Sequence, residues 1–210
     1  MKKYFLTLLI LGLSVLLFGC GTSTKETELT ETPQTETTET AETDTEDTTA
    51  KAPDDGEMDA VFNEAYEVYQ WFELDKLEVE SDENGIVMYE IDGNYYGKVA
   101  DSRVSSFAEL SDAVHTYFSD EICNQLLTDG LYMEENGVLY QLLADRGGDI
   151  TRGEILSQGV TERTDNSVTY TVTVETYDPS VDAVTGSEEI PFLYENIDGK
   201  WVFTRFQSIY

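Results

Sequence analysis

The residues best able to act together chemically are Asp145, Arg146, Asp149, Thr151 and Arg152, spaced through Ala144-Asp145-Arg146-Gly147-Gly148-Asp149-Ile150-Thr151-Arg152-Gly153. Two acids, two bases and a hydroxyl can recognise another molecule through charge-assisted hydrogen bonds. The glycines admit positive φ, so the chain is expected to turn sharply here and project these groups from a loop. Loops held by a rigid sheet carry recognition more often than cores do. Asp145 and Asp149 could accept from basic groups of a partner. Arg146 could instead brace the loop by pairing bidentately with one of those two acids. Thr151 could donate or cap, and Arg152 completes the candidate partner-binding set. The competing reading is a polar, glycine-rich turn between strands with no function of its own.

Reactive groups elsewhere are sparse. His115 is the single histidine, so histidine supplies no metal cluster. Cys123 stands between Ile122 and Leu126, as a small apolar filler would. A catalytic thiol needs a nearby base and an electropositive setting, and His115 lies eight positions earlier, more than two helical turns away. The chain has no Gly-x-Ser-x-Gly elbow, no His-Glu-x-x-His and no glycine-rich phosphate loop. Asp145 to Asp149 also lacks the ligand series of a calcium-binding EF-hand. No catalytic residue, metal ligand or cofactor site is therefore assigned. An enzyme would have to rest on Asp and Tyr pairs converging in a pocket.

The elements that must position the loop come from periodicity. Met58, Val61, Phe62, Ala65, Tyr66, Tyr69 and Phe72 recur at helical spacing and predict an amphipathic helix over 57–73. Residues 86–91 and 95–100 flank Asp92-Gly93-Asn94 and read as a hairpin. Ser106-Phe107-Ala108-Glu109 has capping-box spacing and opens a second helix. Ser119-Asp120-Glu121 starts a third, which Gly130 ends. From Leu131 onward the chain reads as sheet. Residues 131–133 and 138–143 surround Asn136-Gly137, 154–163 and 168–177 surround 164–166, and 184–195 and 201–207 surround Asp198-Gly199. Val168, Tyr170, Val172 and Val174 alternate with threonines, so one face is dry and one wet. Pro191 predicts a bulge or an edge. The class is α+β, with N-terminal helices packed on one curved antiparallel sheet. An apolar pocket of about 300 Å³ or more between helix and sheet would favour a small-ligand binder. A space filled by the protein's own side chains would favour protein recognition.

Outside that domain, Lys2 and Lys3 precede an apolar run to Phe18 and then Gly19-Cys20. A charged start, a short apolar core and a small residue before the cut describe a secretory signal over 1–19. Cys20 directly after Gly19 resembles a bacterial lipobox, which implies cleavage before Cys20 and lipid on its sulfur. The alternative is a secreted protein with a free thiol. Residues 20–56 alternate Thr with Glu and Asp and have almost no large apolar residue, so a disordered linker is expected. The folded part, 57–210, holds 32 acids and 8 bases, a net of −24. That balance argues against nucleic acid and against direct contact with anionic lipid. It favours a basic partner or simply solubility, and the length fits one domain, taken as a monomer.

Several stretches together resemble a family. They are an aromatic helix, Phe-Ser-Asp-Glu-Ile at 118–122, Leu-Tyr at 139–140, the 144–154 stretch, and Tyr-Glu-Asn-Ile-Asp-Gly-Lys-Trp-Val-Phe-Thr-Arg-Phe at 194–206. They look like the IseA-type DL-endopeptidase inhibitors, secreted or lipid-anchored proteins of Gram-positive bacteria. The resemblance covers about 60–210, and its last two motifs are the specific ones. It implies a cystatin-like, NTF2-like α+β fold. It also implies binding, through a loop of the sheet, to cell-wall hydrolases with NlpC/P60-type catalytic domains. The extracytoplasmic face of the membrane is the implied location, with Cys20 as the lipid attachment. The alternative carried with it is an NTF2-like lipoprotein that binds a small ligand or wall fragment and inhibits nothing.

Overall fold

The computed structural model describes residues 51–210. The expected signal over 1–19, the lipidated Cys20 and the linker as far as residue 50 lie outside the described residues.

The first helix, α1 (Asp55–Gln70), begins two residues before the expected 57. Its capping box is reciprocal: the Asp54 carboxylate accepts from the Glu57 N–H at 2.9 Å, and the Glu57 carboxylate accepts from the Asp54 N–H at 2.8 Å. Asp54 and Asp55, which composition assigns to the linker, therefore belong to the folded part, and Ala52 packs against the core. The helix stops at Gln70 rather than 73, because the next N–H groups bond three residues back, Phe72 to Tyr69 and Glu73 to Gln70, both at 3.0 Å. Met58, Phe62, Ala65 and Val68 form its buried stripe.

Short strands follow: β1 (Ser81–Asp82), β2 (Gly85–Ile86), β3 (Met88–Ile91) and β4 (Asn94–Lys98). Asp92 and Gly93 turn β3 into β4 with φ of 51° and 80°, the paired positive angles that a two-residue hairpin needs. Helix α2 (Phe107–Tyr117) is capped by Ser106, whose hydroxyl accepts from the Glu109 N–H at 3.2 Å. The return half of the expected box goes instead to Ser105, whose N–H and hydroxyl both donate to Glu109 at 2.7 Å. Helix α3 (Asp120–Thr128) runs to Asp129, followed by Gly130 at φ 82°. Then come β5 (Tyr132–Glu135), β6 (Val138–Leu142), β7 (Arg152–Arg163), β8 (Ser167–Asp178), β9 (Ala183–Ile197) and β10 (Lys200–Arg205).

The α+β class holds, but the strands do not share one sheet. One four-stranded sheet has the order β3-β4-β6-β5 and another β10-β9-β8-β7, all antiparallel, with β1-β2 a separate ribbon. The hairpin before the helices pairs through β4 with the hairpin after them, so β5 and β6 do not continue into the last four strands. Pro191 lies on β9 opposite Thr171 of β8, and the β10 register ends at Leu193. At Pro191 the strand thus has β8 alone as a ladder neighbour, which is the edge environment that a residue without an N–H requires.

The core lies between α1 and the inner face of the β7–β10 sheet. Phe62 stacks on Tyr170 with ring centroids 4.3 Å apart and meets Phe192 edge-on at 4.9 Å. Phe206 closes the group against Phe192 and Phe203, both at 4.8 Å. Fully burying a ring of this size contributes about 1.5–3 kcal/mol. Cys123 is buried here as the filler expected of it, its thiol 3.4 Å from the Phe118 carbonyl and pushed up to about 11 by burial. A second knot joins the far end of α1 to the smaller sheet. The Tyr132 hydroxyl donates to the Trp71 carbonyl at 2.7 Å and accepts from the Leu77 N–H at 3.3 Å.

Candidate functional site

The 143–151 segment is the connection between the two sheets, and Ala144 to Thr151 are all exposed. It is held from beneath at several points. The Leu143 N–H donates to the Tyr95 carbonyl at 2.9 Å, and the Lys76 ammonium donates to the Ala144 carbonyl. Arg146 donates to Asp129 at 2.7 Å and stands 3.9 Å from Glu73. It therefore braces the loop, but against the ends of α3 and α1 and not against Asp145 or Asp149 as expected. Burial pushes the Glu73 carboxyl up, and the nearby Arg146 charge works against that shift.

The glycines act differently from the expectation of a sharp positive-φ turn. None of Gly147, Gly148 and Gly153 is left-handed. At Gly148 a Cβ would make ordinary van der Waals contact with Leu74 Cδ1 at 3.4 Å, so neither angle nor space demands glycine there. At Gly153 a Cβ would meet the Glu175 side chain at 3.1 Å, while Gly147 faces open space.

Asp149, Thr151 and Arg152 come together. The Asp149 carboxylate accepts from the Thr151 hydroxyl at 2.6 Å and from its N–H at 2.9 Å, and these bonds hold its carboxyl below the usual range. Thr151 thus donates within its own loop. Its carbonyl accepts from the Tyr177 N–H at 2.7 Å, which carries the ladder one residue past β7. Arg152 belongs to β7 rather than to the loop, with its side chain 17% exposed. It forks onto Glu188 at 3.1 and 3.2 Å and donates to the carbonyls of Ser208 at 3.1 Å and Ile209 at 3.3 Å. A guanidinium so occupied clamps the C-terminal tail to the start of β7. Asp145 stands apart from the other four. It edges a groove of about 790 Å³ whose apolar lining includes Leu77, Ile86 and Met88.

The sequence reading missed the apolar residues around the loop. Ile150 is 72% exposed and Val181 65% exposed. Thr151 bonds to Tyr177, and Tyr177 pairs on its other side with Val184, so Ile150 and Val184 flank one end of the β7–β9 ladder. Asp149, Asp178 and Asp182 ring this end, with Asp182 accepting from the Tyr177 hydroxyl. A signal was present: Ile150 and Val181 are lone aliphatics inside turn-forming sequence, where no alternation can carry them to a core.

Among the described residues no group of three or more His, Cys, Asp and Glu is placed to hold a metal. His115 is exposed and its Nδ1 lies 2.8 Å from the Ser111 carbonyl one helical turn back. Asp101 carries the largest carboxyl shift, held well below the usual range by the Arg103 guanidinium, which forks onto it at 2.9 and 2.7 Å. That pair tethers the 101–103 turn to α1, where Arg103 also reaches Glu67 at 2.6 Å. No helix among the described residues is long and apolar enough to cross a membrane. Set against protein-family models and against curated proteins, the chain matches neither.

Proposed function

We propose that the protein is a membrane-anchored, non-enzymatic binding protein that inhibits or regulates peptidoglycan DL-endopeptidases of the NlpC/P60 type at the cell surface. In this reading the folded part, from Asp54 to the end of the chain, forms a cystatin-like, NTF2-like domain, Cys20 carries the lipid, and the Thr/Glu-rich stretch spaces the two. The observation that carries the reading is a contrast. The space between α1 and the large sheet, where a small ligand or substrate would sit, is filled by Phe62, Tyr170, Phe192, Phe203 and Phe206. The loop between the sheets is braced from below and shows Asp145, Asp149 and Ile150 to solvent. A rigid, exposed loop with an apolar centre and an acidic rim suits protein recognition, because a central anchor supplies affinity and rim charge supplies encounter rate. The resemblance of 144–154 and 194–206 to the IseA-type inhibitors supports the same conclusion.

The test is digestion of purified wall by an NlpC/P60 DL-endopeptidase with and without the full chain. Digestion should slow in proportion to added protein, and Ile150→Asp should weaken the complex at least about tenfold, or 1.4 kcal/mol. Undiminished digestion together with no complex at low salt rejects the reading.

A further inference from the structure

The groove that Asp145 edges is lined by Ile86 and Met88, which are 53% and 65% exposed. Strand pairing extends this apolar surface. Met88 stands opposite Gly97 and Glu90 opposite Tyr95, so Met88, Glu90 and Tyr95 share one face of the β3–β4 hairpin. Tyr95 is 55% exposed, and its carbonyl accepts from Leu143, which also lines the groove. Three large apolar side chains open to solvent on neighbouring strands form the kind of patch that another molecule covers. The thioether of Met88 adapts its shape to that cover. The charge around the patch decides what the cover is. Glu78 and Asp145 line the groove and Glu90 shares the face of Met88; all three are exposed and belong to no ion pair among the described residues. Lys76, the cation in the lining, donates its ammonium to the Ala144 carbonyl and offsets one of the three carboxylates, which leaves the rim acidic. A second copy of this chain brings the same acidic rim and a like net charge, so it is repelled. Anionic lipid and nucleic acid are repelled for the same reason. Bulky apolar side chains set between lysines or arginines meet both the patch and its rim.

We infer that this groove docks a cationic, apolar peptide segment of a partner protein. Its apolar side chains cover Ile86, Met88 and Tyr95, and its cations pair with Glu78, Glu90 and Asp145. The apolar contacts supply affinity, and the charges supply orientation and encounter rate. The inference rests on the groove and the β3–β4 face and stands or falls apart from the hydrolase reading, whose anchor is Ile150.

The experiment uses the full chain labelled with ¹³C-methyl methionine. Met88 reports on the groove, and Met58, fully buried, is the internal control. The probe is the acetylated, amidated peptide Lys-Leu-Trp-Leu-Lys. A saturable shift of the Met88 methyl is expected below about 10 mM, with Met58 unmoved. Glu-Leu-Trp-Leu-Glu keeps only the apolar half of the probe and Lys-Gly-Ser-Gly-Lys only the charge, so each should bind at least about tenfold more weakly. Glu78→Gln combined with Asp145→Asn, and separately Ile86→Ser, replace exposed side chains and should each weaken the probe at least about threefold. No saturable Met88 shift overturns the inference. So does equal binding of either control peptide, or undiminished binding by either variant. A Met88 shift on raising the protein concentration alone, or with phosphatidylcholine vesicles and no peptide, assigns the surface to a second copy or to a membrane and overturns it as well.

Discussion

Arg152 shows how a residue's role depends on partners distant in sequence. Its chemistry and its glycine neighbours suggest recognition, yet all three guanidinium nitrogens are engaged by Glu188, Ser208 and Ile209. Those partners lie 36, 56 and 57 positions away, which no local pattern reveals. Arg152→Ala should cost about 1–3 kcal/mol in urea unfolding, the range for charge-assisted bonds at a half-buried site. Arg152→Lys should recover less than half, because an ammonium cannot reproduce the fork. An unchanged urea midpoint for Arg152→Ala would remove the clamp from the account. The bonds from Thr151 to Asp149 span only two residues, an Asx turn of the kind local sequence can encode, although the expectation had Asp149 accepting from a partner.

At the scale of elements, local signals served well wherever local geometry decides. Asp92-Gly93, Asn136-Gly137 and Asp198-Gly199 all form hairpin turns with two positive φ angles. The start of α1 was misplaced because an aspartate in a charged linker and an aspartate that caps a helix have the same composition. The Asp-x-x-Glu spacing of Asp54 and Glu57, the same signature read at Ser106 and Glu109, separates them, and the reciprocal bonds realise it. Asp54→Ala should therefore destabilise the domain by about 0.5–2 kcal/mol. If Asp54 belonged to a linker, the substitution would leave the chemical-denaturation curve unmoved. The pairing of β4 with β6 had no local signal, since Lys98 and Tyr140 stand 42 positions apart with two helices between them.

For the whole molecule, charge is the dominant fact. Eight basic groups cannot neutralise 32 acids over residues 57–210, so self-repulsion outweighs the few ion pairs that salt would also weaken. The thermal midpoint should rise by several degrees between about 0.02 M and 0.5 M NaCl, as the screening length shortens. A midpoint that falls with salt would show that the ion pairs outweigh the repulsion. What the sequence determined by itself was the α+β class, most element positions, the buried Cys123 and the acidic surface, because each depends on neighbours within a turn or two or on composition alone. What only the tertiary structure decided was the division of the strands into two sheets, the clamp role of Arg152, the distant brace of Arg146 and the groove beside Ile86 and Met88. Each of those depends on which segments meet across tens of residues, and the free energy of such meetings is set by packing that the linear pattern does not contain.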